Sequence, residues 1–230
     1  FKKDKKIVLE AIKIDGTLIS YADKSLTKDR EVILHAVKAH GAALEYADEV
    51  FKKDREIVLE AVKQHGSAIQ YADENFRKDN EIVLEAVKKD GYALEYADDS
   101  FKKNKEIVLI AVKCEGSAIQ FADDSFKKDQ EIVFEAVKQY GSALEYVDDK
   151  FKKNKEIVLE AVKKSGNAFD YADDNLKYDK DIIIEAVRQY HTDALEYIVD
   201  ENLIKDKEFI LELVKISGQN LKFAHESLKK

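Results

Sequence analysis

The 230-residue chain carries 39 Lys plus Arg against 47 Asp plus Glu, and the resulting −8 argues against a general polyanion or nucleic-acid binder. A single cysteine, Cys114, excludes an internal disulfide, and the absence of Pro with only 8 Gly leaves no room for long structureless linkers. The longest uncharged apolar runs, such as Ile107 to Val112, fall far short of the roughly 20 residues that cross a bilayer, so no membrane span is expected.

From its first residue the chain repeats itself. Steps of 25 land on Phe1, Leu26, Phe51, Phe76, Phe101, Phe126, Phe151 and Leu176, and after a two-residue slip the series resumes at Leu203 and Leu228. Repeats start near residues 1, 26, 51, 76, 101, 126, 151, 176 and 203, with a partial tenth from 228, and residues 1–230 read as one array. Phe1 stands mid-repeat, Met is absent and Leu228 opens a unit it does not finish, so a fragment of a longer chain is expected. A fixed period of this size marks stacked architectures, in which no unit buries its apolar face alone.

Within Phe51 to Asn75 the elements follow in order. Asp54 precedes an apolar run and predicts a helix N-cap; its eight equivalents, from Asp4 through Asn104 to Asp206, are all Asp or Asn. Ile57, Val58, Leu59, Ala61 and Val62 form a broad apolar arc, Glu60 faces outward and Lys63 complements the C-terminal end of the helix dipole. The position of Ala61 is Ala in eight repeats and Leu213 in the ninth, as expected where backbones approach closely. Gly66 and its equivalents predict a left-handed residue closing a helix of about eleven residues. Ser67 with Gln70, Ser117 with Gln120 and Ser142 with Glu145 read as capping boxes opening a second, short helix, with Ala68, Ile69, Ala72 and Phe76 inward and Tyr71 beside them. The predicted fold is all-α: an α-solenoid, or superhelix, of nine 25-residue helix-turn-helix repeats.

The recurring string Phe-Lys-Lys-Asp-x-Glu-Ile-Val-Leu-Glu-Ala-Val-Lys-x-x-Gly-x-Ala-Leu-x-Tyr-Ala-Asp resembles a family of short bihelical repeats. That family is known only as a domain of unknown function, in proteins of protists, giant viruses and intracellular bacteria. The resemblance covers essentially the whole chain. It implies a tetratricopeptide-like α-solenoid used for macromolecular interaction, and it brings no catalytic residues.

One repeat is irregular. Tyr190-His191-Thr192-Asp193 lacks the Gly, and one extra residue falls within Glu196-Tyr197-Ile198-Val199-Asp200, which predicts a different turn and a one-residue helical bulge.

Equivalent positions stack into columns, and chemistry is sought along them. The basic column (Lys52-Lys53, Arg77-Lys78, Lys102-Lys103 and equivalents) could follow a phosphate backbone, but the acidic column beside it (Asp73-Glu74, Asp98-Asp99, Asp123-Asp124 and equivalents) would repel one. Those acidic pairs lack the spacing of a calcium loop. His40 and His65 share one position in adjacent repeats, near Asp15, Asp90 and Glu115, without the ligand spacing of a zinc site. No nucleophile, base or phosphate loop clusters, so no catalytic residue, metal or cofactor is assigned. The column of Tyr71, with two Phe replacements at Phe121 and Phe223, reads as packing.

The positions that vary most between repeats stand at the end of the first helix and after the Gly. Gln64, His65, Ser67, Lys89, Asp90, Tyr92, Cys114, Glu115, Gln139, Tyr140, Lys164 and Asn167 are therefore the candidate partner-binding edge, with Tyr92, Tyr140 and Tyr190 as aromatic anchors. With 45% apolar and 37% charged residues the chain reads as a soluble repeat protein. The function expected is a non-enzymatic protein-protein interaction scaffold, the alternative a structural building block that self-assembles into a filament, lattice or shell. The lone cysteine and the absence of glycosylation sequons point to a cytoplasmic setting.

Overall fold

A computed structural model describes residues 1–189, 194–195 and 201–228. Its regular elements are all helical among those residues, and the chain divides into two compact units, Phe1–Asp123 and Asp124–Lys230, each a run of α-solenoid repeats. The first holds α1 (Lys5–Ile14), α2 (Arg30–Ala39), α3 (Arg55–Gln64), α4 (Asn80–Lys89) and α5 (Lys105–Cys114). The second holds α6 (Gln130–Gln139), α7 (Lys155–Lys164), α8 (Lys180–Arg188) and α9 (Lys207–Ile216). The turn expected around Tyr190 and His191 and the bulge expected around Tyr197 lie outside the described residues, as do the last two residues of the partial tenth repeat.

Each of these helices starts where an Asp or Asn oxygen can take the first orphan amides. Asp54 accepts from the amides of Glu56 at 3.0 Å and Ile57 at 3.2 Å, and an Asp or Asn opens each of the other eight, through both of these amides in five and through the second alone in α4, α7 and α9. Helix α3 then runs for 10 residues. Ile57, Val58, Ala61 and Val62 are wholly buried against neighbouring helices, while Leu59 is half-buried at the rim.

The helix does not end on a left-handed glycine. His65 is extended, with φ −147°, its amide still bonded to the Ala61 carbonyl at 2.9 Å, and Gly66 begins the next element. Glycine is required there by contact, not by torsion. A Cβ at Gly66 would lie 2.3 Å from the carbonyl oxygen of Ala86 in the next repeat, and one at Gly41 would lie 2.2 Å from that of Ala61. The Gly and Ala columns are thus two halves of one backbone-to-backbone contact. Leu213, the exception in the Ala column, follows the one repeat that has no Gly.

The second helix also differs from expectation: it is a 3-10 helix, Gly66–Tyr71, with bonds such as Ala68 N–H to the His65 carbonyl at 2.9 Å. Three residues per turn put Gly66, Ile69 and Ala72 in one row against the long helices. The capping boxes are absent for the same reason. The Ser67 hydroxyl donates instead to Asp90 of the next repeat, and the Gln70 amide donates to the Ser67 carbonyl at 3.0 Å. Where a side chain caps this segment it is the one before the Gly, as where Asp15 accepts from the Thr17 amide at 2.8 Å and Asp90 from the Tyr92 amide at 2.9 Å; His65 makes no such bond.

From Phe51 to Leu176 the connecting turns alternate. Short α-helical turns at Glu49–Lys52, Asp99–Lys102 and Asp149–Lys152 bury Phe51, Phe101 and Phe151. 3-10 turns at Glu74–Lys78, Phe126–Lys128 and Leu176–Tyr178 leave Phe76, Phe126 and Leu176 half-buried. The 25-residue geometry therefore carries a second, two-repeat rhythm. A backbone bond from Asp73 N–H to the Lys52 carbonyl at 2.9 Å closes the base of each hairpin, as does Asp173 to Lys152 at 2.9 Å.

Candidate functional site

The variable edge lies where α3 to α5 meet their 3-10 segments in the first unit, and at the corresponding ends of α6 and α7 in the second. Gln64, His65, Lys89, Cys114 and Glu115 are exposed, as are Gln139, Tyr140, Lys164 and Asn167. Ser67 and Asp90 are half-buried and bond each other. Tyr92, 38% exposed, is tethered: its hydroxyl lies 2.7 Å from the Ser117 hydroxyl and its ring meets Phe121 edge-on, centroids 5.7 Å apart. Tyr140 is 47% exposed and stands out from its unit. Part of the variation is therefore neighbour matching between repeats, and part is free surface. Tyr190 lies outside the described residues.

The His40 and His65 rings come together, 5.7 Å apart and tilted by 32°. His40 Nδ1 accepts from the Ala42 amide at 3.3 Å. No third ligand joins the pair: among the described residues no group of three or more His, Cys, Asp or Glu could hold a metal ion. Cys114 is an exposed thiol with its Sγ 3.8 Å from the Lys88 carbonyl. The basic and acidic columns interlock, for example Lys53 with Asp73 at 3.8 Å, Lys52 with Glu49 at 2.8 Å and Lys152 with Asp149 at 3.3 Å, so neither offers a bare stripe to a polyanion or a cation. No described helix is long and apolar enough to cross a membrane.

These hairpins have a sequence counterpart beyond this chain. The profile of a family described as Domain of unknown function (DUF4116) matches residues 1–27, 29–77, 54–102, 79–114, 104–152, 154–201 and 191–229. The chain belongs to this family. No curated protein and no solved structure matches it. Several of the DUF4116 matches span two repeats, the length over which the connecting turns alternate.

Two features of the DUF4116 stack escape a reading of single repeats. The first is a ladder of cations on the opening turns of most of the long helices that grip the next repeat. Lys5 reaches Asp29 at 2.7 Å and Glu31 at 2.8 Å, Arg55 reaches Asp79 at 3.5 Å and Glu81 at 2.6 Å, and Lys155 reaches Asp179 at 2.9 Å and Asp181 at 2.6 Å. Asn80 and Gln130 hold the equivalent places in two repeats, and there the following cap is Asn104 or Asn154 instead of Asp. A cation is answered by Asp and a neutral residue by Asn. The second feature is the tyrosine column, in which Tyr71 feels the charge of Glu45 and Tyr171 that of Glu145, each a repeat earlier.

Both features titrate. The Lys5 ammonium holds the Asp29 carboxyl below its usual range, Lys180 does so for Asp206, and hydrogen bonds from Thr17 do so for Asp15. A depressed folded pKa contributes stability above about 3.9 and loses it as pH falls through the lower folded values. Tyr71, Tyr96 and Tyr171 are pushed up by burial and then by Glu45, Glu95 and Glu145, so their contribution is present below about 10 and lost as pH rises beyond it. The melting temperature followed by circular dichroism is expected to be flat from about pH 5 to 9 and to fall on both sides. A melting temperature unchanged down to about pH 3 would contradict the carboxylate assignment.

Proposed function

We propose that this chain is a non-enzymatic protein-protein interaction scaffold that takes its partner along the exposed edge at the ends of the long helices, in a reducing, cytoplasmic setting. The observation that carries this reading is the separation of roles within each repeat. Residues that recur from repeat to repeat, such as Ile57, Ala61, Gly66 and Ile69, are buried, and those that differ, such as His65, Lys89 and Glu115 in the first unit and Tyr140 in the second, stand exposed at the ends of the long helices. Tyr92 in the first unit and Tyr140 in the second each supply large, amphipathic contact area there.

Cross-linking in native extract identifies neighbours, and the purified partner is then titrated against the parent chain and a Tyr92→Ala, Tyr140→Ala double variant. At least a tenfold loss of affinity, about 1.4 kcal/mol, is the expected result. Equal affinity for both proteins removes this edge as the recognition surface. A mass that rises with protein concentration in light scattering, with no partner captured, favours the self-assembling building block instead.

A further inference from the structure

Inside the array each repeat passes two features to the next: a glycine that lies against the following Ala carbonyl, and a residue of the cation ladder that meets the following cap. The last repeat keeps both with nothing to receive them. Gly218 is exposed and a Cβ there meets nothing within 4 Å, whereas Gly41, Gly66 and Gly91 are buried against the carbonyls of Ala61, Ala86 and Ala111. Lys207, in the place of Arg55, has no carboxylate oxygen within 4.0 Å among the described residues. Leu221, in the row of Ile69, is 51% exposed where Ile69 is wholly buried, and it lines an apolar groove with Leu211 and Val214.

The first repeat holds the matching receivers. Ala11 is half-buried where Ala61 and Ala86 are wholly buried, and Asp4 is an exposed cap with no cation within 4.0 Å among the described residues. Ile7, in the row of Ile57, is 44% exposed and borders a second apolar groove with Phe1 and Leu18.

We infer that α9 and Gly218–Phe223 of one chain dock on α1 of a second copy, in the way that each repeat packs on the next within the chain. The occupant is specified by what an internal seam requires. Gly218 lies on the second copy's Ala11 carbonyl, Lys207 reaches its Asp4, and Leu221 and Ile7 come under the cover that buries Ile69 and Ile82 where Gly66–Tyr71 packs on α4. The charge match is the one the internal seams observe, with a cation answered by Asp and a neutral residue by Asn. One receiver is incomplete: Lys6 stands where Glu31, Glu56 and Glu81 supply the second acid, so the joint between chains is weaker than a seam within one. Leu228 opens the same unit as Phe1, so Leu228 to Lys230 give way to the second copy's Phe1 to Lys3. The contact is heterologous, and each chain brings one face of each kind. It does not rest on the partner-binding edge, since Tyr92 and Tyr140 take no part in it, and it gives the self-assembling alternative a defined surface.

The test is sedimentation equilibrium of the whole chain from ~1 μM to ~1 mM. Reversible association is expected, weakened at least tenfold in Gly218→Ala, whose methyl enters the joint as it would enter a seam at Gly66. An unchanged urea midpoint for this variant at ~1 μM shows that its fold is intact. Lys207→Glu is expected to weaken association too, and Lys6→Glu, which completes the socket, to tighten it about threefold or more. The Tyr92→Ala, Tyr140→Ala variant associates as the parent does, so the joint and the partner-binding edge stand or fall separately. A single-chain mass throughout, equal association by Gly218→Ala, or weaker association by Lys6→Glu overturns the inference.

Discussion

Replacing Gly66 by Ala is expected to lower the free energy of unfolding by about 3 kcal/mol, while the same change at Gly218 leaves it level or raises it by about 0.5 kcal/mol. Neither glycine has a positive φ, so the chain conformation itself accepts alanine at both. The difference lies in what the new methyl meets. At Gly66 it meets a backbone oxygen at 2.3 Å and the Asp90 Cβ at 2.7 Å, atoms that cannot swing aside without separating two repeats; at Gly218 nothing lies within 4 Å. With no clash, the remaining effect of Ala is a less flexible unfolded chain, which favours folding slightly. Urea denaturation of both variants beside the parent gives the two signs. Equal destabilisation at the two sites would mean that torsion, not contact, selects glycine here.

The second large effect is expected at Phe169, 1% exposed and the largest fully buried side chain among the described residues. Its row elsewhere holds Ile19, Leu44, Ile69, Leu94, Ile119 and Leu144, so the space between the long helices is built for a branched aliphatic and enlarged once. Phe169→Ala should cost about 4 kcal/mol through lost transfer free energy and the cavity left behind. Phe169→Leu, which restores the residue used by its neighbours, should cost less than about 1.5 kcal/mol. The ratio is the informative quantity. If Leu were as costly as Ala, the repeat at Phe169 would have to be packed around a ring in a way the others are not.

Much of this was legible in the sequence because it is local and repeated. Asp54 before Ile57, the arc through Val62 and the period itself depend on neighbours within one turn, and each is written again in every repeat. Gly66 was misread because a tight contact and a left-handed torsion select the same residue, and only the Ala86 carbonyl distinguishes them. The 3-10 segment was misread because Gly66, Ile69 and Ala72 sit three apart, a spacing an α-helix shares. Arg55 was silent because its partners, Asp79 and Glu81, are 24 and 26 residues away. The pairing of Asn80 with Asn104 could have been found by asking how each position covaries with the next repeat. Averaging the repeats hid it.

A periodic chain has a length of unit but no inherent phase, and the cation ladder supplies one. Written from Phe51 to Asn75, the unit splits every rung of that ladder between two blocks. Written from Arg55 to Asp79, or from Asn80 to Asn104, each block carries its own hand and the variable half of the socket, the Asp or Asn that fits it, while the acid two residues on is the same in kind at every internal seam. Blocks cut in that phase could be lost, doubled or exchanged without setting a guanidinium against an amide. Cut in the other phase, removal of one unit would leave Arg55 facing Asn104, or Asn80 facing Asp129. The order of near-identical hairpins is thus constrained at their seams, and the seam after the cap is where the array tolerates being rewritten.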